Sequence, residues 1–244
     1  MSTLTRKQRE IAERERLILA VARGMLAERG YLGLNMDRIA EAVEYSKGTV
    51  YQHFASKEDL LATLYTDTAR QRAAMFKRAA SFNGKPRERV AAIGVADQLF
   101  VALNPDHFAV ENILDVSDVF AKVSEERRNV FIHVKTAMMD VLMGIVRDAV
   151  DAGDLSLPDD APLCQPLYGM WTQSLGHHKL AGQRRMPPFA GIDLEDALWR
   201  NYTIMLDGYQ WAPLSSEWDY ERTIERIRQE VFADEWARLH DRLA

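Results

Sequence analysis

The stretch SKGTVYQHF, residues 46–54, decides the predicted fold of this 244-residue chain. Val50 and Phe54 lie one helical turn apart and form an apolar edge that can pack on neighbouring helices. The side chains of residues 47–49 and 51–53 are small or polar, and none is acidic. A helix with one packing edge and one acid-free face can enter a DNA major groove, which is about 12 Å wide. From spacing alone, a solvated polar helix between core helices explains the stretch equally well.

Two predicted helices come before this stretch. The first covers residues 5–29, and Gly30 follows it as a natural C-cap. Asn35 is then the predicted N-cap of a short helix with an apolar face. After the stretch, Ser56 and Asp59 form a predicted capping box for a fourth helix. Three short helices with a tight turn before the third are typical of a helix-turn-helix unit.

Helical spacing of apolar residues continues beyond this unit, and strand signals are missing. Further helices are predicted over residues 86–103, 107–120 and 124–152, and a single C-terminal helix is predicted within 217–243. Apolar residues within 163–171 mark an eighth helix, and those within 198–209 mark a ninth. Residues 182–192, which contain Pro187 and Pro188, are predicted to be irregular. The fold class is therefore all-α, with an N-terminal three-helix domain over residues 1–56 and a larger helical domain over 57–244.

Composition suits a globular protein, with 47% hydrophobic residues and a formal net charge of −5. Residues 1–60 carry 10 Lys+Arg and 9 Asp+Glu, a net charge of only +1. DNA binding would therefore depend on a small local surface, because salt screens charges beyond about 8–10 Å. Cys164 is the single cysteine, the N-terminal segment is polar, and no apolar run of membrane-spanning length is evident. These features predict a cytoplasmic protein.

Four runs of sequence closely resemble the tetracycline-repressor (TetR) family: ERGY at 28–31, IAEAV at 39–43, SKGTVYQHF at 46–54 and SKEDLL at 56–61. The resemblance covers residues 14–65 in register. It implies an all-α homodimer that binds DNA with its N-terminal domain and an effector with its C-terminal domain. The DNA-facing positions of the family carry over onto Asn35, Ser46, Lys47, Gly48, Thr49, Tyr51, Gln52, His53 and Lys57.

The chain departs from the family pattern at the turn before residue 46. The family usually has glycine where Glu44 stands and a small aliphatic residue where Tyr45 stands. Glycine permits positive φ, so Glu44 implies either modest strain or a slightly different turn. Asn35 replaces the common threonine and still provides a helix cap.

The resemblance also implies an effector pocket among the predicted fifth to eighth helices. Small-molecule sites are mostly apolar with a few polar groups. On that basis the candidate ligand-binding residues are Phe100, Asn112, His133, Trp171 and Ser174. The predicted eighth and ninth helices, which contain residues 163–171 and 198–209, would form the homodimer interface and bury Trp199 and Tyr202.

Catalytic and metal sites are disfavoured. Adjacent histidines such as His177 and His178 point about 100° apart on a helix and cannot easily share a metal. Cys164 has no basic neighbour in sequence that would activate it as a redox sensor. No nucleophile–base pair, metal motif or phosphate loop is evident, so the chain is predicted to be neither an enzyme nor a carrier of a metal or cofactor.

The leading hypothesis is a ligand-responsive transcriptional regulator, a repressor that binds a pseudo-palindromic DNA operator as a homodimer. A small, mostly apolar effector would release it from DNA. A second hypothesis assigns the larger domain to a protein partner instead of a small molecule. A third, an all-α enzyme, is disfavoured for the reasons above.

Overall fold

The computed structural model describes residues 5–115, 117–181 and 192–243. Within these residues the regular secondary structure is entirely helical, which confirms the predicted all-α class. The helices are α1 (Arg6–Gly33), α2 (Met36–Ala42), α3 (Lys47–His53), α4 (Lys57–Ala80), α5 (Pro86–Leu103), α6 (His107–Leu114), α7 (Ser117–Phe120), α8 (Glu125–Asp151), α9 (Gln165–Ala181), α10 (Leu194–Gly208), α11 (Tyr220–Glu230) and α12 (Ala233–Leu243).

Two predicted helices were wrong in their extent. The predicted helix over 107–120 is divided into α6 and α7, and the single C-terminal helix is divided into α11 and α12. Helix α11 ends at its C-cap, Val231, and the next residue, Phe232, is fully buried in the core of unit 2. The predicted irregular segment, 182–192, lies outside the described residues except at Ile192.

The chain forms two compact units. Unit 1 comprises Met1–Ala69 and Asp106–Val134, and unit 2 comprises Arg70–Pro105 and Lys135–Ala244. The chain thus passes from one unit to the other within α4, whereas the predicted functional boundary follows residue 56. That functional boundary stays a prediction.

Unit 1 has its own apolar core, to which α1, α2, α3 and α4 each contribute. Ile18 of α1, Ile39 of α2, Val50 of α3 and Leu60 of α4 are all fully buried there. The apolar edge predicted for residues 46–54 therefore packs inward. Each such side chain contributes about 1.5–3 kcal/mol by leaving water.

Unit 2 is built around two apolar clusters. In one of them Ile227 and Phe232, from the C-terminal part of the chain, pack against α4 and α5 residues that include Phe100. Trp211 is fully buried in the other cluster with residues of α8, α9 and α10. The C-terminal helices are consequently part of the core of unit 2.

One described helix, α8, is long and apolar enough to cross a membrane by length and composition alone. Its mean hydropathy reaches 1.4 over 18 residues, which corrects the expectation that no such run exists. In the structure α8 contributes Phe131 and Val134 to the core of unit 1 and Ile145 and Val146 to that of unit 2. Of the 18-residue apolar window, 22% is buried in the structure.

Candidate DNA interface and effector cavity

The turn between α2 and α3 places the N-terminus of α3 at the surface of unit 1. Glu44 adopts a left-handed conformation, with φ of +57°. The N–H of Tyr45 donates to the Ala40 carbonyl at 3.0 Å, and the N–H of Glu44 donates to the Glu41 carbonyl at 3.2 Å. This pair of hydrogen bonds is a Schellman motif, which ends a helix and usually has glycine at the left-handed position. Glu44 therefore adopts the strained, left-handed conformation, and the turn does not change to a different type to avoid that strain.

Ser46 then starts α3 directly. Its Oγ accepts a hydrogen bond from the Thr49 N–H at 3.1 Å and lies 2.8 Å from the Thr49 Oγ1. An N-cap of this kind stabilises a helix by roughly 1 kcal/mol. Ser46 and Thr49 therefore fix the start of α3 and remain at the surface of unit 1, Thr49 being half-buried.

Arg127, on α8, holds the other end of α3 and was missed by the sequence analysis. Its guanidinium donates to the His53 carbonyl at 3.3 Å and to the Thr63 Oγ1 at 2.7 Å. It also lies 5.1 Å from the centre of the Phe54 ring. No local pattern connects Arg127 with residues more than 60 positions away, so only the folded unit reveals this contact.

Four of the predicted DNA-binding residues lie on the outward face of α3. Lys47, Gly48 and Gln52 are exposed, and Tyr51 is 47% exposed. A Cβ added at Gly48 would meet no atom closer than the Ser46 Oγ at 3.8 Å, so packing within the protein does not require glycine there. The missing side chain leaves room for an external backbone to approach α3.

Lys47 already has an anionic partner within the protein. Its Nζ lies 2.5 Å from the Oδ2 of Asp37 on α2, and both side chains are substantially exposed. The hydrogen bond to Asp37 raises the pKa of the Lys47 ammonium above its ordinary value. A DNA phosphate would therefore have to compete with Asp37 for this cation.

Three predicted DNA-binding residues make contacts inside unit 1. The His53 side chain is only 10% exposed, and its Nδ1 lies 3.4 Å from the Glu15 Oε1 of α1. The Lys57 ammonium lies 4.0 Å from the centre of the Tyr31 ring. Asn35 caps α2, because its Oδ1 accepts from two backbone N–H groups. The structure gives these residues roles in positioning helices, and their contacts with DNA stay predictions.

Unit 2 encloses a cavity of about 510 Å³ between α4, α5, α8, α9, α10 and α11. Trp171 and Ser174, two of the five predicted ligand-binding residues, line it. Phe100 is fully buried in the adjacent core and does not line it. Asn112 and His133 are exposed in unit 1 and lie outside this cavity, because residues 106–134 fold with the N-terminal helices.

A buried polar cluster lies beside the cavity. The Asp97 Oδ1 accepts from the Arg72 Nε at 2.9 Å, and its Oδ2 accepts from the Ser174 Oγ at 2.7 Å. The His178 Nε2 lies 2.9 Å from the same Oδ2. Burial alone would raise the pKa of the Asp97 carboxyl, but Arg72, His178 and Ser174 outweigh burial and hold that pKa well below its ordinary value.

Of this cluster, only Ser174 was predicted from the sequence; Arg72, Asp97 and the role of His178 were not. Along the chain, Asp97 is 25 positions from Arg72 and 81 from His178, and the three residues lie on three different helices. His178 was considered only as a metal ligand with His177, and the structure pairs it with Asp97. Within the described residues no group of three metal-ligating side chains comes together.

Comparison with known proteins gives relatives of one kind. Residues 18–64 match the family model described as bacterial regulatory proteins, tetR family. The chain is 37% identical over 75 residues to the transcriptional repressor AcnR of Corynebacterium diphtheriae, a match that covers 31% of this chain and 37% of that protein. It therefore spans little more than a third of this relative's length.

Two further proteins match over longer stretches. The fatty acid metabolism regulator protein of Bacillus subtilis is 25% identical over 154 residues, which is 62% of this chain and 76% of that protein. The crystal structure of the TetR-family regulator PfmR from Thermus thermophilus superposes with a TM-score of 0.58, covering 79% of this chain and 97% of PfmR at 19% identity. At that identity the likeness to PfmR concerns the fold alone.

Lys47 and Asp37 should have opposite effects on affinity for duplex DNA. Lys47→Ala should weaken binding and reduce the slope of log affinity against log salt by about one. Asp37→Asn should strengthen binding by up to about fivefold, since an exposed ion pair contributes at most about 1 kcal/mol. Fluorescence anisotropy titrations between about 50 and 200 mM salt measure both effects. Weaker binding by both variants would show that the Lys47–Asp37 pair acts only as a structural support.

Asp97→Asn should destabilise the protein by about 3–5 kcal/mol at pH 7, because Arg72 would lose its buried partner. The pKa of Asp97 is lowered in the folded state, so its contribution is complete above the unfolded pKa of about 4 and is lost as pH falls below it. The difference between wild type and variant should therefore shrink by about 1.4 kcal/mol per pH unit below about pH 4.

Denaturant unfolding at a series of pH values measures this difference. Asp196→Asn, which alters an exposed carboxylate at the same cavity, is the matched control and should change stability by less than about 0.5 kcal/mol. An Asp97→Asn effect that is small at pH 7, or equal at pH 7 and pH 3, would contradict the assigned ion pair.

Proposed function

Because the chain belongs to the TetR family of bacterial regulatory proteins, we propose that it is a ligand-responsive transcriptional repressor that binds a pseudo-palindromic operator as a homodimer. This is a family of transcription regulators and not of enzymes. The observation that carries the proposal is the outward face of α3. It is free of acidic residues and is held by a cap at one end, Arg127 at the other and a buried apolar edge between them.

The surface chemistry of α3 supports recognition of DNA bases. Gln52 is exposed and can pair with adenine through two hydrogen bonds, and the methyl group of Thr49 can contact thymine. Lys47 supplies charge for a phosphate, and Tyr51 supplies an exposed hydroxyl. Phosphate contacts set position, whereas base contacts set sequence preference.

Exposed apolar side chains support a homodimer interface on α9 and α10. Tyr168 and Trp171 on α9, and Ile204 on α10, are each more than half exposed. Large apolar side chains that stay exposed on neighbouring helices are candidates for a protein–protein interface. A dimer would place two copies of α3 about 34–36 Å apart, the spacing of successive major grooves.

The cavity in unit 2 supports a small-molecule effector rather than a protein partner. It is largely apolar, is lined by several helices, and has a size typical of ligand sites. An effector that prefers a different arrangement of the two DNA-binding units would lower operator affinity, typically by about 1–3 kcal/mol. The name of one relative, the repressor AcnR of Corynebacterium diphtheriae, agrees with repression. A protein of this kind acts in the cytoplasm.

The proposal predicts the outcome of selecting bound duplexes from a random DNA pool. The wild-type chain should enrich a sequence with two inverted half-sites whose centres are about 10 base pairs apart, or a multiple of that. No enriched sequence, or an unpaired half-site, would contradict the proposed operator.

A matched pair of variants tests the dimer in the same selection. Ile204→Glu puts a charge into the proposed interface, so it should give monomers in sedimentation measurements and lose the paired half-sites. Ile132→Glu alters an isoleucine of similar exposure on α8 and should behave as wild type. A dimeric Ile204→Glu protein would show that the interface lies elsewhere.

A further inference from the structure

The charged side chains inside the cavity of unit 2 are already paired within the protein. The Arg72 guanidinium binds Asp97. The Arg87 Nη1 lies 2.7 Å from the Asp207 Oδ1 and donates to the Trp211 carbonyl at 2.6 Å. A ligand with a charged group would have to break one of these pairs or remain uncompensated, and a buried uncompensated charge costs several kcal/mol.

The remaining charged lining residues are in contact with solvent. Asp196, Arg200 and Glu221 are all exposed, and they include both signs of charge. Ion pairs at solvent-exposed positions are weak, so these residues provide little attraction for an ionised ligand. Discrimination between charged and neutral ligands therefore depends on the interior of the cavity.

The hydroxyl groups of Ser174, Tyr202 and Thr203, which line the cavity, each donate their proton to an acceptor within the protein. The Ser174 Oγ donates to the Asp97 carboxylate at 2.7 Å, and the Tyr202 Oη donates to the Met170 carbonyl at 3.2 Å. Thr203 donates to the carbonyl one turn earlier on α10 at 3.0 Å. Carboxylate and carbonyl oxygens carry no proton, so the hydroxyl group is the donor in each of these three bonds. A hydroxyl has one proton and two lone pairs, so these groups can only accept a hydrogen bond from a ligand.

We propose that the cavity binds a neutral, mostly apolar molecule that carries a hydroxyl group, and that it rejects carboxylates and ammonium ions with the same apolar body. The ligand hydroxyl donates to one of the lining hydroxyl oxygens. Its own oxygen can accept from Gln98, a lining residue whose Nε2 has no hydrogen-bond partner among the described residues. This inference rests on the proposed function in taking the cavity as the effector site.

The C-terminal part of the chain forms one wall of this site. Tyr220, Glu221 and Ile224 of α11 line the cavity. The wall is held in place because Thr223 donates to the buried Glu88 carboxylate of α5 at 3.1 Å. Helix α11 therefore has a part in ligand binding as well as in covering the core of unit 2.

The test is calorimetric titration of the full chain, without DNA, with decanol, decanoic acid and decylamine at pH 7. The three probes have the same apolar chain and differ in the polar group. Decanol should bind with a Kd at least about tenfold lower than the acid and the amine, because burying either ion is costly. Equal or tighter binding of the acid or the amine would overturn the proposal, as would absence of decanol binding.

Two tryptophan substitutions on α11 test whether the measured binding takes place in this cavity. Ile224→Trp should fill the space beside the wall and weaken decanol binding at least about tenfold. Arg222→Trp adds the same side chain at an exposed position on α11 that does not line the cavity, and should leave the Kd unchanged. Equal effects of the two variants would place binding elsewhere. These titrations contain no DNA. A negative result for decanol binding would therefore leave the outcome of the operator selection, which tests the proposed function, unchanged.

Discussion

The left-handed turn at Glu44 is the constraint on which the outward surface of α3, the proposed DNA-binding face, depends. It ends α2 and lets Ser46 cap α3 two residues later, so that Val50 and Phe54 enter the core while Lys47, Gly48 and Gln52 stay outside. A left-handed conformation costs a non-glycine residue about 1–2 kcal/mol. The burial of two apolar side chains and the helix cap outweigh this cost. Local strain at the turn is thus compatible with a precisely positioned outward face.

The two candidate sites use charge in opposite ways. On unit 1, Lys47 is exposed and its pairing with Asp37 is weak enough for a phosphate to replace Asp37. In unit 2, Arg72 and Asp97 are paired away from water, where separation would be costly. The exposed cation suits a polyanion such as DNA. The buried pair makes the cavity suitable for a neutral molecule, because no charge remains inside to attract an ion.

Sequence patterns predicted the local features well, since caps, helical periodicity and the SKGTVYQHF stretch depend on residues within one or two turns. The burial of Val50 and Phe54 follows from such local rules, whereas the turn at Glu44 was left open between a strained and a different conformation. Contacts across long separations could not be predicted. The folding of residues 106–134 into unit 1 explains why Asn112 and His133 lie outside the cavity. The Arg72–Asp97–His178 cluster left no pattern in the sequence, because its members come from three distant helices.

The central claim is that the outward face of α3 reads DNA bases. The most direct measurement compares wild type and Gln52→Ala on the selected operator and on its single-base variants by fluorescence anisotropy. The account predicts that Gln52→Ala loses about 1–3 kcal/mol of operator affinity and the preference for one base pair in each half-site. Unchanged affinity together with unchanged preference at every position would contradict it.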